Sequence, residues 1–238
     1  MSIIKKPNKT ITFIIIFVRY PEEGKVKTRL ALTIGKHYAK ELYKIIAQKI
    51  VSEVKRVRNS RIYLFSSEKV EIQQVRKWLR GNFQFTYQEG KSLGERMSNA
   101  FMRLLANGSN KTILIGTDIP DIGKEIIENA SNMLDIYDIV IGPTLDGGYY
   151  LLGMKKLFNT LFEEIQFSIN SVFSQTILQI EKLGLSYYIL PELQDIDTEE
   201  DLAYWLNNGS GSNLKKEINL IYNLIKGRIV QRCIHCGE

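Results

Sequence analysis

Four polar clusters in this chain hold the residue types from which chemistry can be built. The first is Phe-Val-Arg-Tyr-Pro-Glu-Glu-Gly-Lys-Val-Lys-Thr-Arg-Leu, residues 17–30, where Arg19, Lys25, Lys27, Thr28 and Arg29 gather around Gly24. Cations at a strand-to-helix turn suit phosphate, because the free amides and macrodipole of a helix start also favour anions. The Walker pattern is excluded, since it needs a glycine directly before the lysine and another five residues earlier, where Val26 and Pro21 stand. A solvated charged turn is the plain alternative.

The second cluster closes the apolar run Thr-Ile-Leu-Ile-Gly-Thr-Asp, residues 112–118. A buried parallel strand ending this way sets Asp118 at the carboxyl edge, where open α/β sheets bind ligands. Mg²⁺ accepts one or two protein carboxylates and fills its shell with phosphate oxygens and water, a role that suits Asp118. Asp121 could equally cap a helix near Gly123. The third cluster is Asp146-Gly147-Gly148-Tyr149-Tyr150. Its glycines let backbone approach a ligand and its tyrosines could flank an acceptor, while Asp-Gly is also a strong hairpin signal. The fourth is Asp-Ile-Asp-Thr-Glu-Glu-Asp-Leu, residues 195–202. A carboxylate there could complete a metal site with Asp118, and Thr198 or Asp197 would also serve as a helix N-cap.

The elements that must position these clusters follow from periodicity. Strand patterns at Ile11 to Val18, Arg61 to Ser66, Phe83 to Tyr87, Thr112 to Gly116, Asp138 to Gly142, Tyr149 to Gly153 and Ser186 to Leu190 alternate with helical spacing. The helices are expected over Thr28 to Arg58, Lys69 to Arg80, Leu93 to Asn107, about Gly123 to Leu134 and about Asn170 to Leu183. Such alternation predicts an α/β fold, a mostly parallel sheet in a three-layer α/β/α sandwich. Residues 1–206 are expected as one domain. Asn207 to Asn213 reads as a linker to an amphipathic helix carrying Leu214, Ile218, Ile221 and Ile225, which could pack on the body or pair two copies of the chain.

Composition narrows the classes. With 238 residues, 44% of them hydrophobic, the chain can bury a large core, and its net charge of +6 suits phosphate-bearing partners without choosing among them. The run Ile11 to Val18 after Lys5, Lys6 and Lys9 is too short and lacks the cleavage site of a secretion signal, and no segment reaches the length of a membrane span. Cys233 and Cys236 lie at the C-terminus, so no disulfide framework organises the fold and a cytoplasmic setting is expected. His37 and His235 are the only histidines, which excludes a histidine-rich zinc site in the body, and no serine-nucleophile elbow occurs. A basic nucleic-acid-binding module is disfavoured by the aspartates at the ligand edge and by the absence of a recognised motif.

Taken together, Phe17 to Ala31, Leu-Gly-Glu-Arg-Met at 93–97, Gly-Thr-Asp-Ile-Pro at 116–120, Asp-Gly-Gly-Tyr-Tyr-Leu-Leu-Gly at 146–153 and the acidic run at 195–202 resemble the DUF2064 family of glycosyltransferase-like proteins. That family belongs to the nucleotide-diphospho-sugar transferase superfamily with the GT-A fold, beside the molybdenum-cofactor and phospholactate nucleotidyltransferases. The resemblance implies that Asp118 and Asp197 hold Mg²⁺ or Mn²⁺, and that Arg19, Lys27 and Arg29, with Thr28 beside them, meet nucleotide phosphates. It places Arg96 and Gly94 near the nucleotide, and Asp146 and Gly147 on the acceptor-side loop with Gly148 and Tyr149. The first loop departs from true nucleotidyltransferases in holding one glycine, and the tail after Asn207 has no counterpart.

The activity this implies is transfer of a sugar from a nucleoside-diphosphate donor to a small acceptor, with Asp146 as the candidate base. The alternative is nucleotidyl transfer from a nucleoside triphosphate to a small phosphorylated acceptor, releasing pyrophosphate. Both use the same metal and cations.

Overall fold

The computed structural model describes residues 10–163, 165, 171–209 and 212–235, and describes side chains of the last helix from Asn213 to Ile225. The elements run β1 (Thr12–Val18), α1 (Leu30–Ile34), α2 (Lys36–Val54), β2 (Ser60–Ser66), α3 (Ile72–Trp78), β3 (Gln84–Tyr87), α4 (Leu93–Ala106) and β4 (Thr112–Ile115). They continue with α5 (Lys124–Met133), β5 (Ile139–Pro143), β6 (Tyr149–Met154), α6 (Thr160–Glu163), α7 (Val172–Lys182), β7 (Tyr187–Ile189), α8 (Glu199–Asn208) and α9 (Ser212–His235).

β1 shows why two helical layers are needed. Its side chains alternate, so Ile14, Ile16 and Val18 enter one buried cluster while Phe13 and Ile15 enter another. A strand apolar on both faces must be covered on both. Leu42, Ile46 and Ile50 of α2, Ile127 of α5, Trp205 of α8 and Ile218 of α9 cover the first face. Met97, Phe101 and Leu104 of α4, Leu161 of α6 and Ile180 of α7 cover the second. Among the described residues no helix is long and apolar enough to cross a membrane.

The seven strands lie in the order β3-β2-β1-β4-β6-β5-β7. All neighbouring pairs are parallel except those of β6, which runs antiparallel to both β4 and β5. From β1 the chain moves outward through β2 and β3, then returns to lay β4 on the other side of β1. That reversal leaves a crevice at the carboxyl ends of β1 and β4, the position where open α/β sheets bind ligands. The register pairs Ile16 with Ile115, so Arg19 and Asp118, three residues beyond each, leave the sheet at the same edge.

Two expectations shift. The helix expected over Thr28 to Arg58 divides at Gly35, whose φ of 89° belongs to the left-handed region open to glycine. α8 continues through Asn208 and α9 begins at Ser212, so the break is shorter than the linker read over Asn207 to Asn213. α9 packs on the body, with Leu214, Ile218 and Ile225 buried in the same cluster as β1. The Cys233 side chain and Cys236 lie outside the described residues.

Candidate active site

Lys27 is the hub of the sheet edge. Its ammonium lies 2.7 Å from Asp118 Oδ1 and 3.0 Å from Asp197 Oδ1, with its side chain only 1% exposed. Burial alone would lower its pKa, but the two carboxylates overcome that and hold it above the usual lysine range. The loop is set by its sequence: Gly24 at φ 79° closes a turn, and Val26 is buried against Tyr43 and Ala47 of α2. Lys27 itself takes a left-handed φ of 46°, a strained conformation for a residue with a Cβ. Arg29 reaches the other oxygen of Asp197 at 3.7 Å, and its side chain is 70% exposed.

A buried network fixes the loop to β4. The Tyr43 hydroxyl accepts from the Arg19 amide at 3.0 Å and lies 3.0 Å from the Thr117 hydroxyl, which donates to the Phe17 carbonyl at 3.2 Å. Burial, with Asp118 nearby, pushes the Tyr43 phenol up to about 12, so it serves as a neutral strut. The Arg19 guanidinium donates to the Lys25 carbonyl at 3.0 Å. α1 begins only at Leu30 and spans five residues, so side-chain cations, more than a helix macrodipole, supply the positive potential here.

Two cavities meet at this edge. One, of about 450 Å³, is lined by Arg19, Lys27, Thr28, Arg29 and Arg96. The other, of about 520 Å³, is lined by Asp146, Gly148, Tyr149, Met97 and Ile119. They share Phe17, Arg29, Leu93, Asp118 and Asp195. A molecule in either therefore faces the other across Asp118 and Asp195.

Arg96 is held by a donor bond from Nε to the Gly90 carbonyl at 3.0 Å. Gly90 is required there, because its φ is 137° and a Cβ would approach the Arg96 amide nitrogen to 2.8 Å. Asp146 and its glycines form the turn from β5 to β6: Asp146 Oδ1 accepts from the Thr144 hydroxyl and, at 3.0 Å, from the Gly148 amide. Gly147 takes φ 87° and does not line the cavity, whereas Gly148 and Tyr149 do. The motif is thus a turn whose Asp146, Gly148 and Tyr149 also line the cavity.

Two residues carry tasks that spacing did not reveal. Asp121 accepts a 2.7 Å bond from Trp205 Nε1, tying the loop after β4 to α8 rather than capping α5. Asp195, which the sequence reading left unassigned within its acidic run, lines both cavities. Burial pushes its carboxyl up to about 6, with Asp197 and Asp146 adding to the rise and Lys27 opposing it. Its alternation with Asp197 around buried Ile196 was the available signal. Asp197 is placed by the start of α8, where Thr198 caps the helix and a capping box with Asp201 binds the Asp197 and Thr198 amides.

The profile of the family described as "Uncharacterized protein conserved in bacteria (DUF2064)" matches residues 50–169. The structure resembles a "putative nucleotide-diphospho-sugar transferase" from Desulfovibrio desulfuricans G20, 31% identical, covering 91% of this chain and 98% of that one with a TM-score of 0.83. A 2-phospho-L-lactate guanylyltransferase of Methanocaldococcus vulcanius is 29% identical over 131 residues, 53% of this chain and 56% of that protein. The chain thus matches about half the length of that curated relative. A 4-diphosphocytidyl-2C-methyl-D-erythritol synthase from Anaerococcus prevotii has the same fold, with a TM-score of 0.56 at 15% identity, covering 84% of this chain and 100% of that one.

Proposed function

Because the chain belongs to the DUF2064 family, we propose that it is a nucleotidyltransferase, coupling a nucleoside triphosphate to a small phosphorylated acceptor with release of pyrophosphate. The observation that carries this reading is the pair of cavities joined at Asp118 and Asp195, one lined by cations and one by acidic and apolar groups. The guanylyltransferase relative supports nucleotidyl transfer over the glycosyl transfer favoured by motif resemblance alone. The fold is nucleotidyltransferase-like, which both chemistries share.

In this account the triphosphate occupies the cavity of Arg19, Lys27, Thr28, Arg29 and Arg96. A non-bridging oxygen of the acceptor phosphate attacks the α-phosphorus. The bond from that phosphorus to the oxygen bridging to the β-phosphate breaks, and pyrophosphate leaves with the electron pair. Lys27 and Arg29 neutralise the charge that develops on the α-phosphate and the leaving group, where preorganised cations contribute most. A phosphate monoester is largely dianionic at neutral pH, so its attack needs no proton removal. Asp146 then shapes the acceptor side rather than acting as a base.

Asp118 and Asp197 fit a divalent ion, since both direct a carboxylate oxygen at one cationic point and Mg²⁺ accepts one or two carboxylates with substrate oxygens. Among the described residues no group of three or more His, Cys, Asp or Glu is arranged to hold a metal, so substrate oxygens would fill the rest of the shell. When bound, Mg²⁺ or Mn²⁺ supplies charge neutralisation to the phosphates. With an ion between Asp118 and Asp197, the Lys27 ammonium that joins them would turn to the phosphates.

Incubation with each labelled nucleoside triphosphate, Mg²⁺ and a set of phosphomonoesters tests the reading. Pyrophosphate release that depends on the acceptor is expected. Hydrolysis or transfer from a nucleotide sugar without pyrophosphate release would restore the glycosyl reading.

A further inference from the structure

The two cavities differ in charge, and the difference speaks to the acceptor. Among the described residues lining the 520 Å³ cavity, Arg29 is the only lysine or arginine, and it stands on the wall shared with the nucleotide side. Asp146 and Asp195 both line the cavity, Lys27, which acts on Asp195, is not among its lining residues, and Met97, Ile119, Tyr149 and Val172 supply apolar and aromatic surface. The Tyr150 hydroxyl is spent on the Pro191 carbonyl at 3.0 Å and the Tyr149 hydroxyl lies against Met97 Sδ at 3.8 Å, so neither phenol is turned toward a second anion.

A ligand with one anionic group can satisfy Arg29. A second anion on the same ligand would meet Asp146 and Asp195, while Lys27, the lysine that acts on Asp195, is already paired with Asp118 and Asp197, and like charges set together in a partly desolvated site are strongly disfavoured. An ammonium in that place would gain from both carboxylates and from the aromatic rings. We infer that the acceptor is a phosphomonoester whose body carries an ammonium group and no carboxylate, with its phosphate at Arg29 and its ammonium toward Asp146 and Asp195. This rests on the nucleotidyl-transfer reading and sets the chain apart from the guanylyltransferase relative, whose acceptor by its name is a phospholactate.

The test is calorimetric titration of the full chain, saturated with Mg²⁺ and a non-hydrolysable α,β-methylene nucleoside triphosphate, with phosphoethanolamine, ethyl phosphate and phosphoglycolate. The expected order of affinity is phosphoethanolamine, then ethyl phosphate, then phosphoglycolate, with the first and last separated by about tenfold or more. Asp146→Asn keeps an oxygen acceptor for the Thr144 hydroxyl and the Gly148 amide while removing the charge, and should shrink that ratio severalfold. Equal or tighter binding of phosphoglycolate, binding of none of the three to the nucleotide complex, or an unchanged ratio in Asp146→Asn overturns the inference. Failure of any nucleoside triphosphate to bind in the first step would instead remove the parent reading.

Discussion

Lys27 concentrates two costs at one position, a left-handed backbone and a buried charge, and both are sustained by the carboxylates that it joins. Replacing it with methionine should lower pyrophosphate release by about 10²- to 10³-fold, the usual effect of deleting one preorganised donor to a developing charge. The same Lys27→Met variant should show a larger Mg²⁺-induced rise in melting temperature without nucleotide than the wild type, because no ammonium competes for Asp118 and Asp197. Equal Mg²⁺ responses would mean that lysine and metal do not share the carboxylates. Asp195 makes a separate pH prediction. Burial pushes its carboxyl up to about 6 in the folded chain from the ordinary aspartate value of 3.8, so the folded form holds the proton more tightly and loses stability as pH rises through that window. Asp195→Asn should therefore match the wild type near pH 4 and exceed it by about 1 kcal/mol at pH 7.5 in chelator, after discounting for partial exposure. Urea unfolding at the two pH values measures this.

At the scale of elements, the site depends on how α8 begins. Thr198 accepts from the Asp201 amide at 3.2 Å, and the Asp201 carboxylate returns bonds to the Thr198 and Asp197 amides at 2.8 and 3.1 Å. Thr198→Ala should cost about 1 kcal/mol of stability and weaken nucleotide binding by loosening Asp197, whereas Thr198→Ser should restore both. Chemical denaturation and nucleotide titration read the two effects. Much of this layer was legible from the chain: the strands, the carboxyl-edge position of Asp118 and a helix cap at Thr198 or Asp197, which the structure assigns to Thr198, follow from periodicity and capping chemistry. Gly35 dividing the first helix was harder, because Ala31, Ile34, Leu42 and Ile46 keep helical spacing across the break. Lys27 between Asp118 and Asp197 was not legible as an ion pair, since 170 residues separate Lys27 from Asp197 and only the sheet order joins them. The Asp121–Trp205 bond was hidden for the same reason.

For the whole molecule, the sheet reversal at β1 and β4 makes the crevice and the two helical layers hold it. α9 belongs to that construction, with Ile218 fully buried among residues of the central core. Ile218→Ala should cost about 2–4 kcal/mol, and calorimetry should still show one cooperative transition. A tail that melts separately would contradict a shared core. The central claim is that carboxylates and cations from distant segments form one metal-assisted phosphate site, and calorimetric titration of the preferred nucleoside triphosphate into the wild type and Asp118→Asn, with and without Mg²⁺, tests it most directly. Wild-type affinity should rise with Mg²⁺ and the variant should lose that rise. An identical Mg²⁺ dependence in both proteins would contradict the account.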